Sequence, residues 1–102
     1  MAKGQIKVGT YTGTGAVIHL ELGFIPDMFI TINITDGDDI GWWFNGMTAD
    51  TGIDIAAAVA GNANNAFTAY EGAAGSNSKG ITIGTDYSEN AKVWRYFAVA
   101  NS

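Results

Sequence analysis

Cysteine is absent from this 102-residue chain, proline occurs once, and charged residues are few. Without cysteine, neither a disulfide framework nor a thiolate metal site can form. Charged residues make up 15% of the chain, whereas ordinary soluble domains carry about 25%, so we expect a largely neutral surface that is partly covered in use. Because the net charge is −5 and no basic run occurs, we do not expect a nucleic-acid groove.

Long hydrophobic runs are also missing. No apolar stretch approaches the ~20 residues that a membrane-spanning helix needs. No hydrophobic segment follows the N-terminal Met-Ala-Lys-Gly-Gln, so we expect no signal peptide and no membrane partner, and synthesis in a cytoplasm. The length suits one domain over residues 1–102, in which residues 1–5 are candidates for a flexible N-terminal arm.

The most informative segment of the chain is 22–46, which predicts a central β-hairpin. Pro26 marks an entry turn, because proline has no N–H to donate within a central strand. Asp36-Gly37 is a strong hairpin signal, and it is followed by a return strand over residues 40–44. Between the two turns the residues alternate with a period of two, which places four aliphatic side chains on one face of a strand: Met28, Ile30, Ile32 and Ile34.

Two adjacent tryptophans lie on the return strand. Because neighbouring strand residues point to opposite faces, Trp42 and Trp43 cannot both enter one core. One of them is expected on the outer face of the sheet, where a single subunit would gain little from it. This pair predicts a protein that packs against copies of itself or against a partner surface.

Further strands are expected over residues 6–11, 16–22, 66–71, 80–84 and 91–100, and loops or turns over residues 47–52, 61–65, 72–79 and 85–90. Ile6 and Val8 are expected to face inward in the first strand, and so are Ile18, Leu20 and Leu22 in the second. Residues 53–60 fit a strand through their isoleucines and flanking glycines, and a helix through their alanine run; we favour the strand. About eight short strands at this spacing predict an all-β, single-domain antiparallel β-sandwich, jelly-roll-like in topology.

Catalytic and metal-binding patterns are scarce. His19 is the only histidine and falls on the outward side of its strand, with no Gly-x-Ser-x-Gly turn to accompany it. Asp36, Asp38 and Asp39 are weak candidates for a calcium site, but the twelfth position of that loop is Met47 where an EF-hand needs glutamate. The carboxylates Glu21, Asp50, Asp54 and Glu71 are scattered, so we expect no enzyme, no cofactor and no metal.

Aromatic residues are the richest feature of the chain. The candidates for contact with a partner are Trp42, Trp43, Phe44, Trp94 and Tyr96. Most of these rings are expected in a core. For the remainder we favour anchoring of a subunit interface over a stacking platform for sugar rings.

Three pieces of the sequence resemble one known family. They are Val8-Gly9-Thr10-Tyr11-Thr12-Gly13-Thr14-Gly15, then Leu22-Gly23-Phe24-Ile25-Pro26 before the aliphatic and tryptophan-bearing strands, and then Gly80-Ile81-Thr82-Ile83-Gly84-Thr85-Asp86 leading to Trp94-Arg95-Tyr96-Phe97-Ala98. In this order they resemble the small virion proteins and tail-fibre modules of tailed bacteriophages.

The resemblance implies a β-sandwich that serves in a virion. We expect a capsid decoration or cement protein on the head, with the major capsid protein or another virion protein as partner. A symmetric homo-oligomer is expected, with three subunits as the assumed number. The alternative is a tail-associated module that binds a receptor or glycan. The chain carries no fibre shaft, which favours a separately made piece that is added to an assembled particle.

Overall fold

The computed structural model describes residues 4–55, 59–72 and 79–101. It contains eight strands and one short 3₁₀ turn, Thr85–Tyr87. The strands are β1 (Gln5–Thr12), β2 (Ile18–Glu21), β3 (Met28–Asn33), β4 (Asp38–Phe44), β5 (Thr51–Ile55), β6 (Val59–Tyr70), β7 (Gly80–Ile83) and β8 (Val93–Ala100). Among the described residues, no helix has the length and apolarity needed to cross a bilayer.

All eight strands belong to one antiparallel sheet in the order β1-β8-β3-β4-β5-β6-β7-β2. The sheet curls into a half-barrel, so one face encloses the core and the other faces outward. The expected all-β architecture of about eight antiparallel strands is confirmed. The two-sheet sandwich with jelly-roll topology is not confirmed, because every strand is a neighbour of the next within the same sheet.

The inner face is packed with aromatic rings. The fully buried rings come from four strands and the 3₁₀ turn: Phe29, Trp43, Phe67, Trp94 and Tyr87. Phe67 and Tyr87 stack with ring centroids 4.6 Å apart. Gly41 makes room for them, since a Cβ atom there would lie 2.5 Å from the Tyr87 ring. The core is therefore built from large rings that fill the curl of the sheet.

Tyr11 ties the edge strand β1 to this core. Its buried hydroxyl donates a hydrogen bond to the Tyr87 carbonyl at 2.8 Å and accepts one from the Thr31 hydroxyl at 3.1 Å. Burial raises the pKa of the Tyr11 phenol, although the Thr31 hydrogen bond opposes part of the increase. The neutral phenol is therefore the form that the fold stabilises.

Two loop predictions were wrong. Residues 51–52, expected at the end of the loop 47–52, are the first two residues of β5. Residues 61–65, expected as a loop, belong to β6, in which Gly61 pairs with Ile53 and Asn62 with Gly52. That loop prediction was wrong because backbone pairing with β5 outweighs the low strand propensity of glycine and asparagine. The strand interpretation of 53–60 is confirmed for 53–55 and 59–60; residues 56–58 lie outside the described residues, as do 73–78 of the expected connection.

The inward placement of Ile6 and Val8 was also wrong. Ile6 is 66% and Val8 51% exposed, because Tyr11 occupies the core and the two-residue repeat then turns Ile6 and Val8 to the other face. The inward placement of Ile18, Leu20 and Leu22 on and beside β2 is confirmed. Of the expected N-terminal arm, Gln5 already belongs to β1, and residues 1–3 lie outside the described residues.

Candidate interaction surface

The outer face of the sheet carries three adjoining rows of side chains across β1, β8, β3, β4 and β5, and all of them are apolar except Thr10 and Arg95. Residues opposite one another in antiparallel strands point to the same face, so the strand registers define these rows. The first row is Ile6, Val99, Met28 and Phe44, the second is Val8, Phe97, Ile30, Trp42 and Ile53, and the third is Thr10, Arg95, Ile32, Ile40 and Ile55. We call this surface the outer apolar face.

The outer apolar face is open to solvent, most of all near β1. Ile6, Val8 and Phe44 are large hydrophobic residues exposed to solvent, and the aliphatic residues of β3 are half-buried. The Trp42 and Phe44 rings lie 5.5 Å apart, which makes an aromatic pair at the β4 side of the face. Contiguous exposed apolar surface of this kind marks sites of interaction.

A shallow groove of about 270 Å³ lies across the middle of the outer apolar face. Its apolar lining comes from β1, β3, β4 and β8: Val8, Ile30, Ile32, Ile40 and Phe97. Arg95 stands beside the groove, is exposed, and forms no ion pair with any residue that the structure describes. The groove thus combines apolar walls with one positive group that can meet a carboxylate.

The structure divides the five predicted aromatic candidates between the two faces. Trp43, Trp94 and Tyr96 lie in the core and present no more than 6% of their area to solvent. Trp42 and Phe44 lie on the outer apolar face. The prediction that Trp42 and Trp43 point to opposite faces is therefore confirmed, and only the outer pair is placed to touch a partner.

The acidic turn between β3 and β4 is organised by hydrogen bonds. Asp36 accepts from the Asn33 amide at 3.2 Å, and the Lys92 ammonium lies 3.2 Å from its carboxylate. Asp39 adopts a positive φ of 56°, whereas the side chain of Asp38 is not described. In the described parts of the chain, no group of three or more His, Cys, Asp or Glu side chains could hold a metal ion.

The outer face of the other half of the sheet is polar. Among its residues on β2, β6 and β7 are His19, Thr68, Tyr70 and Thr82, which we call the outer polar patch. The His19 and Tyr70 rings stack 4.5 Å apart, and His19 Nδ1 lies 2.9 Å from the Thr82 hydroxyl. Sequence reasoning placed His19 on the surface but missed this cluster, because nothing local indicates that β2 pairs with β7.

Comparison of the chain with protein-family models, with curated proteins and with solved structures finds no match in any of the three.

Proposed function

We propose that the protein is a non-enzymatic structural protein of a bacteriophage virion, which binds the surface of the head as a decoration or cement protein. The observation that carries the proposal is the outer apolar face. Its partner would be the major capsid protein or another virion protein. The resemblance of the sequence to phage virion proteins is the reason for proposing a place in a virion. The exposed apolar rows are the surface by which the protein would attach.

Burial of the outer apolar face would provide the binding free energy. Apolar surface contributes about 25 cal/mol for each Å² removed from water. Trp42 and Phe44 are suited to anchor the contact, since large rings carry much of the energy in protein interfaces. Arg95 would select a partner surface that offers a carboxylate beside an apolar ridge. Contact with a partner sheet would also produce the two-layer packing that the resemblance implies.

Co-sedimentation with undecorated phage shells tests this attachment. The wild-type protein is expected to pellet with the shells at saturable stoichiometry. Phe97→Glu places a charge in the middle row of the outer apolar face and is expected to abolish binding. Thr82→Glu adds the same charge to the outer polar patch and is expected to bind as the wild type does. Equal binding by both variants, or none by the wild type, contradicts the proposal.

Immunogold labelling tests the location. Antibodies against the recombinant chain, applied to particles produced by the bacterial strain that carries the gene, are expected to label the head evenly. Label confined to the tail would reject the head as the site of attachment. Intact particles that carry no label and contain no peptide of this chain by mass spectrometry would reject the virion altogether.

The outer polar patch favours one second candidate, a tail-associated module that binds a host glycan. His19 and Tyr70 present stacked rings beside the hydroxyls of Thr68 and Thr82, and sugars are bound by such combinations of flat rings and polar groups. Titration with host surface polysaccharide separates the candidates. A glycan-binding module would lose affinity in Tyr70→Ala, whereas a head protein would show no saturable response even as the wild type.

A further inference from the structure

The edge strand β1 presents an unused row of backbone groups. Among the described residues β1 pairs only with β8. The Gly13 N–H bonds the Lys92 carbonyl at 2.8 Å, which fixes the phase of the ladder. Because antiparallel strands alternate between inward and outward hydrogen-bonding residues, the odd-numbered residues of β1 bond to β8. The even-numbered residues direct their N–H and C=O groups away from the sheet: Ile6, Val8, Thr10 and Thr12.

The far side of β8 confirms this phase. The Asp27 N–H bonds the Val99 carbonyl at 2.7 Å, and the Ile34 N–H bonds the Val93 carbonyl at 2.9 Å. Odd-numbered residues of β8 therefore bond toward β3, which leaves its even-numbered residues to bond β1. Trp94 is one of these, and it is opposite Tyr11, an odd-numbered residue of β1.

We propose that a second copy of this chain pairs with β1 along this edge, antiparallel and about a twofold axis at Val8. Val8 then lies opposite the partner's Val8, and Ile6 lies opposite the partner's Thr10. The two sheets become one continuous sheet, and the middle row of the outer apolar face continues from one subunit into the other. This inference concerns the chain alone and stands whether or not the protein belongs to a virion.

Charge selects the register. Lys7 is the one charged residue of β1, and in the pairing centred at Val8 it lies opposite the partner's Gly9. A pairing centred one residue earlier would set Lys7 directly opposite the partner's Lys7, and like charges in that position are destabilising. Lysine on an edge strand also discourages indiscriminate pairing, and the pairing centred at Val8 keeps the two lysines apart.

The opposite edge of the sheet is a poorer partner. A ring of three subunits, the number assumed for a symmetric shell, would need β1 to pair with β2 of the next copy. β2 has four residues against eight in β1, and its edge-directed residues His19 and Glu21 are exposed and polar. Such a ring would end the apolar rows at Ile6 and Val8, whereas the twofold pairing extends them.

The area involved sets the expected strength. Stable interfaces bury about 1,200–2,000 Å² in total, and an edge of eight residues supplies only part of this. We therefore expect dissociation in the micromolar range rather than the nanomolar range. Many copies held side by side on a surface would pair far more completely, because the local concentration is then high.

Sedimentation velocity over a concentration series tests the pairing. The wild-type chain is expected to pass from a monomer at low micromolar concentration to a species of two chains near millimolar concentration. Val8→Pro removes an edge-directed N–H without removing a bond to β8, and is expected to remain folded and monomeric. Val8→Thr, which keeps the N–H and the branched shape, is expected to dimerise. Glu21→Pro, the matched change on the β2 edge, is also expected to dimerise.

Amide hydrogen exchange supplies a readout that does not depend on variants. The amides of Ile6, Val8 and Thr10 are expected to gain at least tenfold protection between dilute and concentrated protein, while those of Lys7, Gly9 and Tyr11 stay protected throughout. A chain that stays monomeric at every concentration overturns the inference. So does a species of three chains, or a Val8→Pro variant that dimerises as the wild type does.

Discussion

Trp42 and Trp43 show how adjacent residues of one type take on different tasks. Trp43 is 1% exposed on the inner face, whereas Trp42 is half-buried on the outer one. We expect Trp43→Ala to lower the free energy of unfolding by about 3–5 kcal/mol, because it empties a large site in the core. Trp42→Ala is expected to cost less than about 2 kcal/mol, since solvent already reaches that ring. Urea unfolding followed by circular dichroism measures both.

The same pair of variants distinguishes packing from binding. Trp42→Ala is expected to weaken attachment to a partner surface although its fold survives. Equal losses of stability in the two variants would show that the outer ring is packed as tightly as the inner one. In that case the outer apolar face would lack its main anchor.

Tyr11 makes stability depend on pH on the alkaline side. Burial raises the pKa of its phenol in the folded protein, whereas the unfolded chain has the ordinary value of about 10. The unfolded state then releases its proton first, so the stability contributed by the neutral phenol is complete below about pH 10 and declines as the pH rises above it. Burial raises the pKa of Tyr96 as well, which adds a decline of the same sign.

We therefore expect Tyr11→Phe to cost about 1–2 kcal/mol at pH 7, through loss of the hydrogen bonds to Tyr87 and Thr31, and to lose stability less steeply above pH 10. Urea unfolding between pH 8 and pH 11 measures both effects, with Tyr70→Phe on the outer face as the control. A steeper decline in Tyr11→Phe than in the wild type would reverse the sign and reject the assignment.

At the scale of elements, the turn just before β8 contains a strained backbone position. Ala91 has φ of 64°. Its N–H donates a hydrogen bond to the Gly13 carbonyl, and the Gly13 N–H donates one to the Lys92 carbonyl. This is a bulge in which glycine is the preferred first residue. A left-handed conformation costs alanine about 1–2 kcal/mol, which exceeds the entropy that a new glycine adds to the unfolded chain.

Ala91→Gly is therefore expected to stabilise the protein by about 0.5–1 kcal/mol, the opposite of the usual effect of this substitution. Thermal unfolding measures the gain. Ala16→Gly, an exposed loop position without a positive φ, serves as the control and is expected to be neutral or slightly destabilising. A loss of stability in Ala91→Gly as large as in Ala16→Gly would show that the bulge is not strained.

The alternation along β3 shows which features of a single strand can be predicted from the sequence. Its period of two predicts a strand and groups Met28, Ile30 and Ile32 on one face, as the structure shows. The alternation alone does not tell which face meets the core, because the face that the structure buries carries Phe29 together with the polar residues Thr31 and Asn33. The larger ring of Phe29 lies inside with the rings of β8, since the curl of the sheet leaves space that aliphatic side chains would not fill.

The order of the strands in the sheet could not be predicted from the sequence, because it depends on contacts between distant parts of the chain. β1 and β8 pair residues from opposite ends of the chain, and no local pattern specifies that contact. The outer apolar face exists only because this pairing aligns Val8 with Phe97 and Phe97 with Ile30. The tryptophan pair could therefore indicate that an outer contact exists, but not where its other residues lie or which strand forms the edge.

At the scale of the whole molecule, the net charge opposes the association of two copies, whereas the apolar surface favours it. Each copy carries a net charge of −5, so two copies repel one another at low ionic strength. The proposed contact along β1 relies on backbone hydrogen bonds and apolar side chains, which salt does not screen.

Raising the salt concentration from 0.01 M to 0.1 M shortens the screening length from about 30 Å to about 10 Å. We expect the dissociation constant of the dimer to fall several-fold over this range, because repulsion is removed while the attraction stays. Sedimentation equilibrium at the two salt concentrations measures the change, and Val8→Pro is expected to stay monomeric in both. Weaker association at the higher salt concentration would mean that ion pairs hold the copies together, and the contact would then lie away from β1 and its single lysine.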